Sequence, residues 1–329
     1  MLYNNYNCIK DNNYIKGKST EVKNIKSVKK KRTYYTDKKV NAARTNIQMY
    51  QWAKDIMNES VENAEYYLSL GIDYLWSLVT SQGIPRSGAV CDDGCPVCGK
   101  GINKFGHYPW IADSANMPWK LKCPNCGTIF PSNDFEAYYK SGIGKYGLFY
   151  PERADTSLLK NMLYPEKSKN WCVDDGYGVI DEKGRRYTFA AYYNHWYIWM
   201  DGSVASGERK NSILCIIKAL KDAYLYTGES KYAKAGVIIL DRVADVYPDM
   251  DVSQYRIEDG YRHNHGITKK GNITGAISEC EVAKKLIGAY DAFFPEIYNK
   301  DCTDVISFLS EKLFYYQTHI IQLFHLETK

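Results

Sequence analysis

The sequence predicts a mainly helical protein interrupted by one small, cysteine-held module. Three observations carry that expectation. Apolar residues recur at the i, i+3, i+4 spacing in several segments after residue 186. Two copies of the pattern Cys-Pro-x-Cys-Gly stand between residues 95 and 127. The stretch around them, 88 to 135, is rich in Gly, Pro, Asn and Cys, a composition that opposes regular structure. At 329 residues and 45% hydrophobic, the chain is long enough to bury a real core.

Residues 1 to 32 hold nine Lys or Arg against two acids, while the remainder holds 34 basic and 36 acidic residues. Residues 1–33 therefore read as a basic, disordered tail, and the run Lys29-Lys30-Lys31-Arg32 as solvated charge. Contact with nucleic acid or an anionic surface is the competing reading of that run, and the near-neutral remainder argues against nucleic acid as a partner. Residues 34–87 read as N-terminal helices. Thr36-Asp37 caps a helix running through Val40, Ile47, Trp52, Ile56 and Val61 towards Leu70, with a break near Asn58. A second helix spans Ile72 to Val79, and Gln82-Gly-Ile-Pro-Arg-Ser-Gly ends helical character.

Residues 88–135 form the cysteine module. Cys95-Pro-Val-Cys98-Gly and Cys123-Pro-Asn-Cys126-Gly are two copies of one pattern, with 24 residues between Cys98 and Cys123. Two thiolates three positions apart, followed by a Gly that lets the backbone turn sharply, make half a tetrahedral site, and two such knuckles close it around zinc. Cys95, Cys98, Cys123 and Cys126 are thus the expected ligands of a structural zinc, with Cys91 and His107 as possible substitutes. Cys215 and Cys280 read as small buried apolar residues of helices.

Residues 136–329 read as helical hairpins. Asp174 to Gly184 suggests a turn or short β-hairpin. Tyr187 to Met200 reads as an aromatic helix, and Glu208 to Tyr226 as a helix with an Ile213, Ile216, Ile217, Leu220, Tyr224 stripe. Thr227-Gly228-Glu229 stops that helix and starts another from Ser230 to Val246, ended by Pro248. A polar loop (Asp249 to Asn272) leads to a helix from Ile273 to Phe294, ended by Pro295, and a last helix runs from near Asp301 to about Thr318. Ile213, Ile217, Leu220, Ile238, Leu286 and Tyr290 should point inward. Hairpins joined alternately by tight turns and long loops curve into toroids. The fold class is therefore mainly α: an incomplete (α/α) toroid with an inserted zinc-ribbon-like module. Periodicity alone leaves an irregular bundle open, because no fixed repeat is visible.

Several segments resemble the heparinase II/III-like polysaccharide lyases. They include Tyr34-Tyr-Thr-Asp-Lys-Lys-Val-Asn-Ala-Ala-Arg44, Tyr50-Gln-Trp-Ala-Lys54 and Ile84-Pro-Arg-Ser87. Pro118-Trp-Lys-Leu-Lys-Cys-Pro-Asn-Cys-Gly127 and Phe130-Pro-Ser-Asn-Asp-Phe135 continue the series. Phe189-Ala-Ala-Tyr-Tyr-Asn-His-Trp196, Ala223-Tyr-Leu-Tyr-Thr-Gly-Glu229, Leu240-Asp-Arg-Val-Ala-Asp-Val-Tyr-Pro248 and Ala289-Tyr-Asp-Ala-Phe-Phe-Pro295 complete it. The ordered series is more specific than any one segment. The resemblance implies a helical toroid followed by β-sandwich domains, and an enzyme, usually secreted or periplasmic, that cleaves uronic-acid-containing acidic polysaccharides by β-elimination. Such enzymes are longer, so this chain is expected to be an N-terminal portion that lacks the full active site and has little or no activity alone. An unpaired helix face near residues 301 to 325 should then expose apolar surface and favour association.

Elimination needs a group that neutralises the sugar carboxylate, a base for the adjacent C–H and an acid for the leaving oxygen. The resemblance does not transfer that set residue by residue, so the candidates come from local chemistry. Tyr192, His195 and Trp199 share one helix face and suit a sugar groove, with an aromatic platform and a titratable ring. Packing of that face into the core is the plainer reading. Arg256, Tyr261 and His263 lie in the long polar loop, where side chains reach ligand or are simply solvated. Catalytic candidates are accordingly Tyr192, His195 and His263, and substrate-binding candidates Trp199, Arg256 and Tyr261. The alternative is a non-catalytic, zinc-stabilised carbohydrate-binding or structural helical module. Apolar runs such as Ala235 to Leu240 fall far short of the ~18 residues of a membrane span. The opening Met-Leu-Tyr-Asn-Asn-Tyr-Asn-Cys has no basic region followed by an apolar one, so the chain as given reads as lacking a secretory signal.

Overall fold

The computed structural model describes residues 29–81, 94–95, 97–106, 109–113, 116–144, 147–150, 152–159, 179–180, 186–187, 212–250, 278–299 and 302–312. Its helices are α1 (Asp37–Met49), α2 (Gln51–Ser69), α3 (Ile72–Leu78), α4 (Phe135–Ser141), α5 (Ile213–Thr227), α6 (Ser230–Val246), α7 (Ser278–Asn299) and α8 (Thr303–Lys312). Short strands β1 (Ile111–Ala112), β2 (Leu121–Lys122) and β3 (Ile129–Phe130) form an antiparallel sheet in that order. Strands β4 (Val179–Ile180) and β5 (Arg186–Tyr187) pair antiparallel, as a hairpin near 174–184 requires. Among the described residues the protein is mainly helical, and no helix is long and apolar enough to cross a membrane.

The Thr36 side chain accepts the Lys39 N–H and caps α1. Tyr50, extended at φ −127° and ψ 132°, separates α1 from α2. The break is thus at Tyr50 and not at Asn58, which lies inside α2. Both α1 and α2 pack on α5 and on each other, and that packing outweighs the weak helix propensity of Asn58.

Ser212 Oγ accepts the Cys215 N–H to start α5, later than the expected Glu208. At its end Gly228 takes the left-handed conformation (φ 80°) and donates its N–H to the Tyr224 carbonyl at 2.8 Å. Arg44 of α1 donates from Nε to the Leu225 carbonyl at 3.0 Å, sealing the helix terminus. The two-residue turn then reverses the chain into α6, so α5 and α6 form the expected hairpin. Helix α5 contacts α1, α2, α6 and α7, while α6 contacts α3, α5, α7 and α8. Ile213, Ile217, Leu220 and Ile238 are buried in this core, and Leu286 and Tyr290 pack against it half-buried. Gly236 lets α6 approach the Phe293 ring so closely that a Cβ there would overlap it.

Several expectations give way to tertiary contacts. Pro295 does not end α7, which continues to Asn299. Proline removes one helix hydrogen bond, but burial of Phe293, Phe294, Glu296 and Ile297 on the continued helix holds it together. Tyr187 lies in β5 and not at a helix start. Cys280 is exposed and Cys215 only half-buried, because both fall outside the buried stripes of their helices. Lys29 and Arg32 are not solvated charges. Lys29 pairs with the buried Asp291 at 2.6 Å, and Arg32 with Asp37 at 2.6 Å, so the chain is docked onto α7 from residue 29. In α8, Val305 and Leu309 are buried and Ile306 and Phe308 pack on the core, so residues 302–312 present no open apolar face.

Candidate metal centre

The four predicted cysteines converge. Cys95 Sγ lies 3.7 Å from Cys126 Sγ, and Cys98 Sγ lies 3.7 Å from Cys123 Sγ. All four sulfurs fall within 4.8 Å of one another. A tetrahedron with metal–sulfur bonds of about 2.3 Å has edges of about 3.8 Å, so the thiols already stand at coordination spacing. The local backbone explains why. In the first knuckle, Cys95 and Gly99 exchange backbone hydrogen bonds at 3.0 and 2.7 Å, with Gly99 at φ 56°. In the second, the Gly127 N–H reaches the Cys123 carbonyl at 2.9 Å, with Gly127 at φ 74°. Each Gly of Cys-Pro-x-Cys-Gly therefore occupies a conformation that a side chain would strain. Gly94 is equally constrained, because a Cβ there would collide with the Gly99 carbonyl.

The second knuckle is the turn between β2 and β3, while the first leads into a 3-10 helix at Lys100–Phe105. Register places Ala112, Leu121 and Phe130 side by side. They bury with Ile102, Trp110, Cys95 and Cys123 as a small core of the module's own. Burial pushes the Cys95 and Cys123 thiols up. Burial also acts on Cys126, but hydrogen bonds at Thr128 outweigh it and bring that thiol down to about 7. The Val97 N–H points at Cys95 Sγ at 3.4 Å, a contact that steadies a thiolate. Four sulfur donors fill a tetrahedron, so the arrangement suits a structural metal and leaves no position for an activated water.

The module is fastened to the helices by one unusual residue. Trp119 has φ 61°, a left-handed backbone that costs a non-glycine residue about 1–2 kcal/mol. Its buried indole lies 4.7 Å from the Tyr139 ring and 5.5 Å from Phe135. The neighbouring Lys120 donates from Nζ to the Pro131 carbonyl at 2.7 Å and the Asn133 carbonyl at 2.6 Å. Neither residue stands out by type or spacing, and the only mark of the place in the sequence is the Pro118-Trp119-Lys120 run beside a knuckle.

Tyr192, His195, Trp199, Arg256, Tyr261 and His263 lie outside the described residues, as do the substitute ligands Cys91 and His107. A second buried polar group emerges on α6. Arg242, 2% exposed, donates from Nη2 to the Gly147 carbonyl at 2.6 Å and places its guanidinium 4.5 Å from the Trp76 ring centre. A charged pair, Asp241-Arg242, inside the apolar run of α6 was its signal in the sequence. Comparison of the chain with family models, curated proteins and solved structures finds no match.

Proposed function

We propose that this chain is a zinc-stabilised helical module of a polysaccharide lyase of the heparinase II/III-like kind, acting on uronic-acid-containing acidic glycans by β-elimination. What supports the reading is order along the chain. A four-cysteine ribbon stands between three N-terminal helices and a helical hairpin closed by Thr227-Gly228, in the same order as the segments that carry the resemblance. In this reading the α5–α6 hairpin belongs to an (α/α) toroid, and Cys95, Cys98, Cys123 and Cys126 hold zinc. Tetrahedral sulfur also suits iron, so metal analysis of the purified protein is the direct test, with one zinc per chain expected.

The chemical reading assigns Tyr192, His195 and His263 to proton transfer, and Trp199, Arg256 and Tyr261 to sugar contact. Elimination requires a carboxylate neutraliser, a base and an acid on one sugar, and these candidates supply part of that set. The chain is therefore expected to bind heparan sulfate or alginate in preference to a neutral glycan, while releasing little unsaturated uronic product. Absence of any acidic-glycan binding would sink the substrate class. Clear turnover, abolished by His195→Ala, would show a complete active site within these residues. Binding without turnover is expected of the alternative too, a non-catalytic carbohydrate-binding or structural module, so turnover by these residues is the outcome that separates the two. The engagement of Asp291 and Arg242 within the fold fits that second reading.

A further inference from the structure

We propose that Trp119 is a metal-dependent latch: the helical body gains stability from the cysteine module only while a metal holds Trp119 in its left-handed conformation. The inference rests on the metal reading above and goes beyond it, because a metal that merely folded its own module would leave the helices indifferent.

Strands β2 and β3 have two residues each, too few to hold each other in register unaided. Their hairpin is closed at both ends. Cys123 and Cys126 would close the turn through a shared metal, and Lys120 closes the open end through the Pro131 and Asn133 carbonyls. Trp119 precedes that clamp directly. A bulky residue at φ 61° persists only where its surroundings leave it no alternative. Releasing the metal frees the hairpin and removes that constraint. The residue then relaxes to an ordinary φ, and its indole leaves the cluster it fills.

The far side of the latch is packed into the body. Tyr139, which the indole covers, lies 5.2 Å from the Phe149 ring. Its Oη accepts the Ser81 N–H at 3.1 Å, and Ser81 Oγ accepts the Phe149 N–H at 2.7 Å. Ser81 is fully buried just after α3. Two residues before Phe149, the Gly147 carbonyl receives Arg242 of α6, and Leu148 joins the main core. The module's own core and the main core share no residue, and this aromatic cluster is one joint between them. Trp119 would thus be the two-state element that coupling between the sites requires, biased by the metal and sensed by the helical body.

The test uses the full chain and measures two things together: bound metal, and the midpoint of the main helical unfolding transition by far-ultraviolet circular dichroism, with and without EDTA. In the unaltered protein, removal of the metal is expected to lower that midpoint by about 5 °C. Metal-loaded Trp119→Ala should already show the lowered midpoint, and EDTA should then move it by less than about 1 °C. Trp119→Phe, which keeps an aromatic ring in the cluster, should retain at least half of the EDTA shift and guards against a failure of the Ala variant to fold. A full EDTA shift in a metal-loaded Trp119→Ala protein, or no shift in the unaltered protein when its metal leaves, overturns the latch while the metal site stands. A chain that binds no metal overturns both.

Discussion

The backbone N–H of Thr33 donates to the Asp291 carboxylate at 2.7 Å, joining positions 258 residues apart. Tyr34 and Tyr35 donate their N–H groups to the other carboxylate oxygen at 3.0 and 2.9 Å, and Lys29 Nζ adds an ion pair at 2.6 Å. Asp291 is 4% exposed, so α7 presents one buried charge that a strand of backbone donors surrounds. This contact turns the end of the basic segment into part of the fold.

Removing that acceptor takes the carboxylate from five donors, the four above and the Thr33 hydroxyl at 2.9 Å. Asp291→Ala should destabilise the protein by about 3 kcal/mol, and Asp291→Asn by somewhat less because its amide oxygen accepts part of the set. Chemical denaturation read by circular dichroism measures both, and a loss below about 0.5 kcal/mol for the Ala variant would show that the nest contributes nothing.

The same contact has a pH signature. Burial alone would raise the Asp291 carboxyl, but the hydrogen bonds from Lys29, Thr33 and Tyr35 more than reverse it and hold it well below its ordinary value of 3.8. The folded state therefore releases this proton more readily than the unfolded state. Its contribution is fully present above pH 3.8 and is lost as pH falls below that value. Stability measured on acidification should fall more steeply for the unaltered protein than for Asp291→Asn, and equal slopes would refute the assignment.

Metal capture by four thiols displaces protons, so affinity must weaken in acid. Bound metal per chain should decline on dialysis from neutral to about pH 5 and recover on return. Cys123→Ser should lose metal at every pH, because it removes one of the two fully buried sulfurs. Unchanged metal content in that variant would place the metal elsewhere.

Gly236→Ala puts a methyl group into the Phe293 ring across the α6–α7 contact. Overpacking of this kind costs about 1–3 kcal/mol despite the better helix propensity of Ala. A stabilised variant, scored by urea unfolding, would mean that the two helices separate more easily than their packing implies.

Arg242→Ala removes the donor to the Gly147 carbonyl and the cation over Trp76 from a site that is 2% exposed. The expected loss is about 3 kcal/mol. Arg242→Met, which refills the volume without charge, should recover part of it, and failure of Met to differ from Ala would show that packing of the stem is irrelevant.

The elements legible in the sequence are those whose cause is local. Ile213 to Thr227 reads as a helix because Ile213, Ile216, Ile217, Leu220 and Tyr224 share one stripe, and Gly228 reads as a stop because a left-handed turn needs no information beyond its neighbours. The two Cys-Pro-x-Cys-Gly repeats predict a four-sulfur site for the same reason, since each knuckle preorganises its own pair and only the approach of the pairs is left to the fold. The exposed Cys280 and the half-buried Cys215 misled for the opposite reason, because composition does not say which helix face is covered.

The rest was decided at a distance. Pro295 lies inside α7 because burial of Phe294 and Ile297 outweighs one missing hydrogen bond, and that burial depends on helices far away in the chain. Tyr50 became the break because α1 and α2 both dock on α5. Asp291 found its partners in residues 29 to 35, and Trp119 holds a strained φ because Lys120, the knuckle and the Tyr139 cluster leave it no other. Local propensities amount to tenths of a kcal/mol per residue, while burial and satisfied polar contacts amount to about 1–3 kcal/mol each. Sequence by itself therefore determined which segments turn, coil or bring four sulfurs together, and the tertiary structure alone decided which charged and strained residues those segments could keep inside.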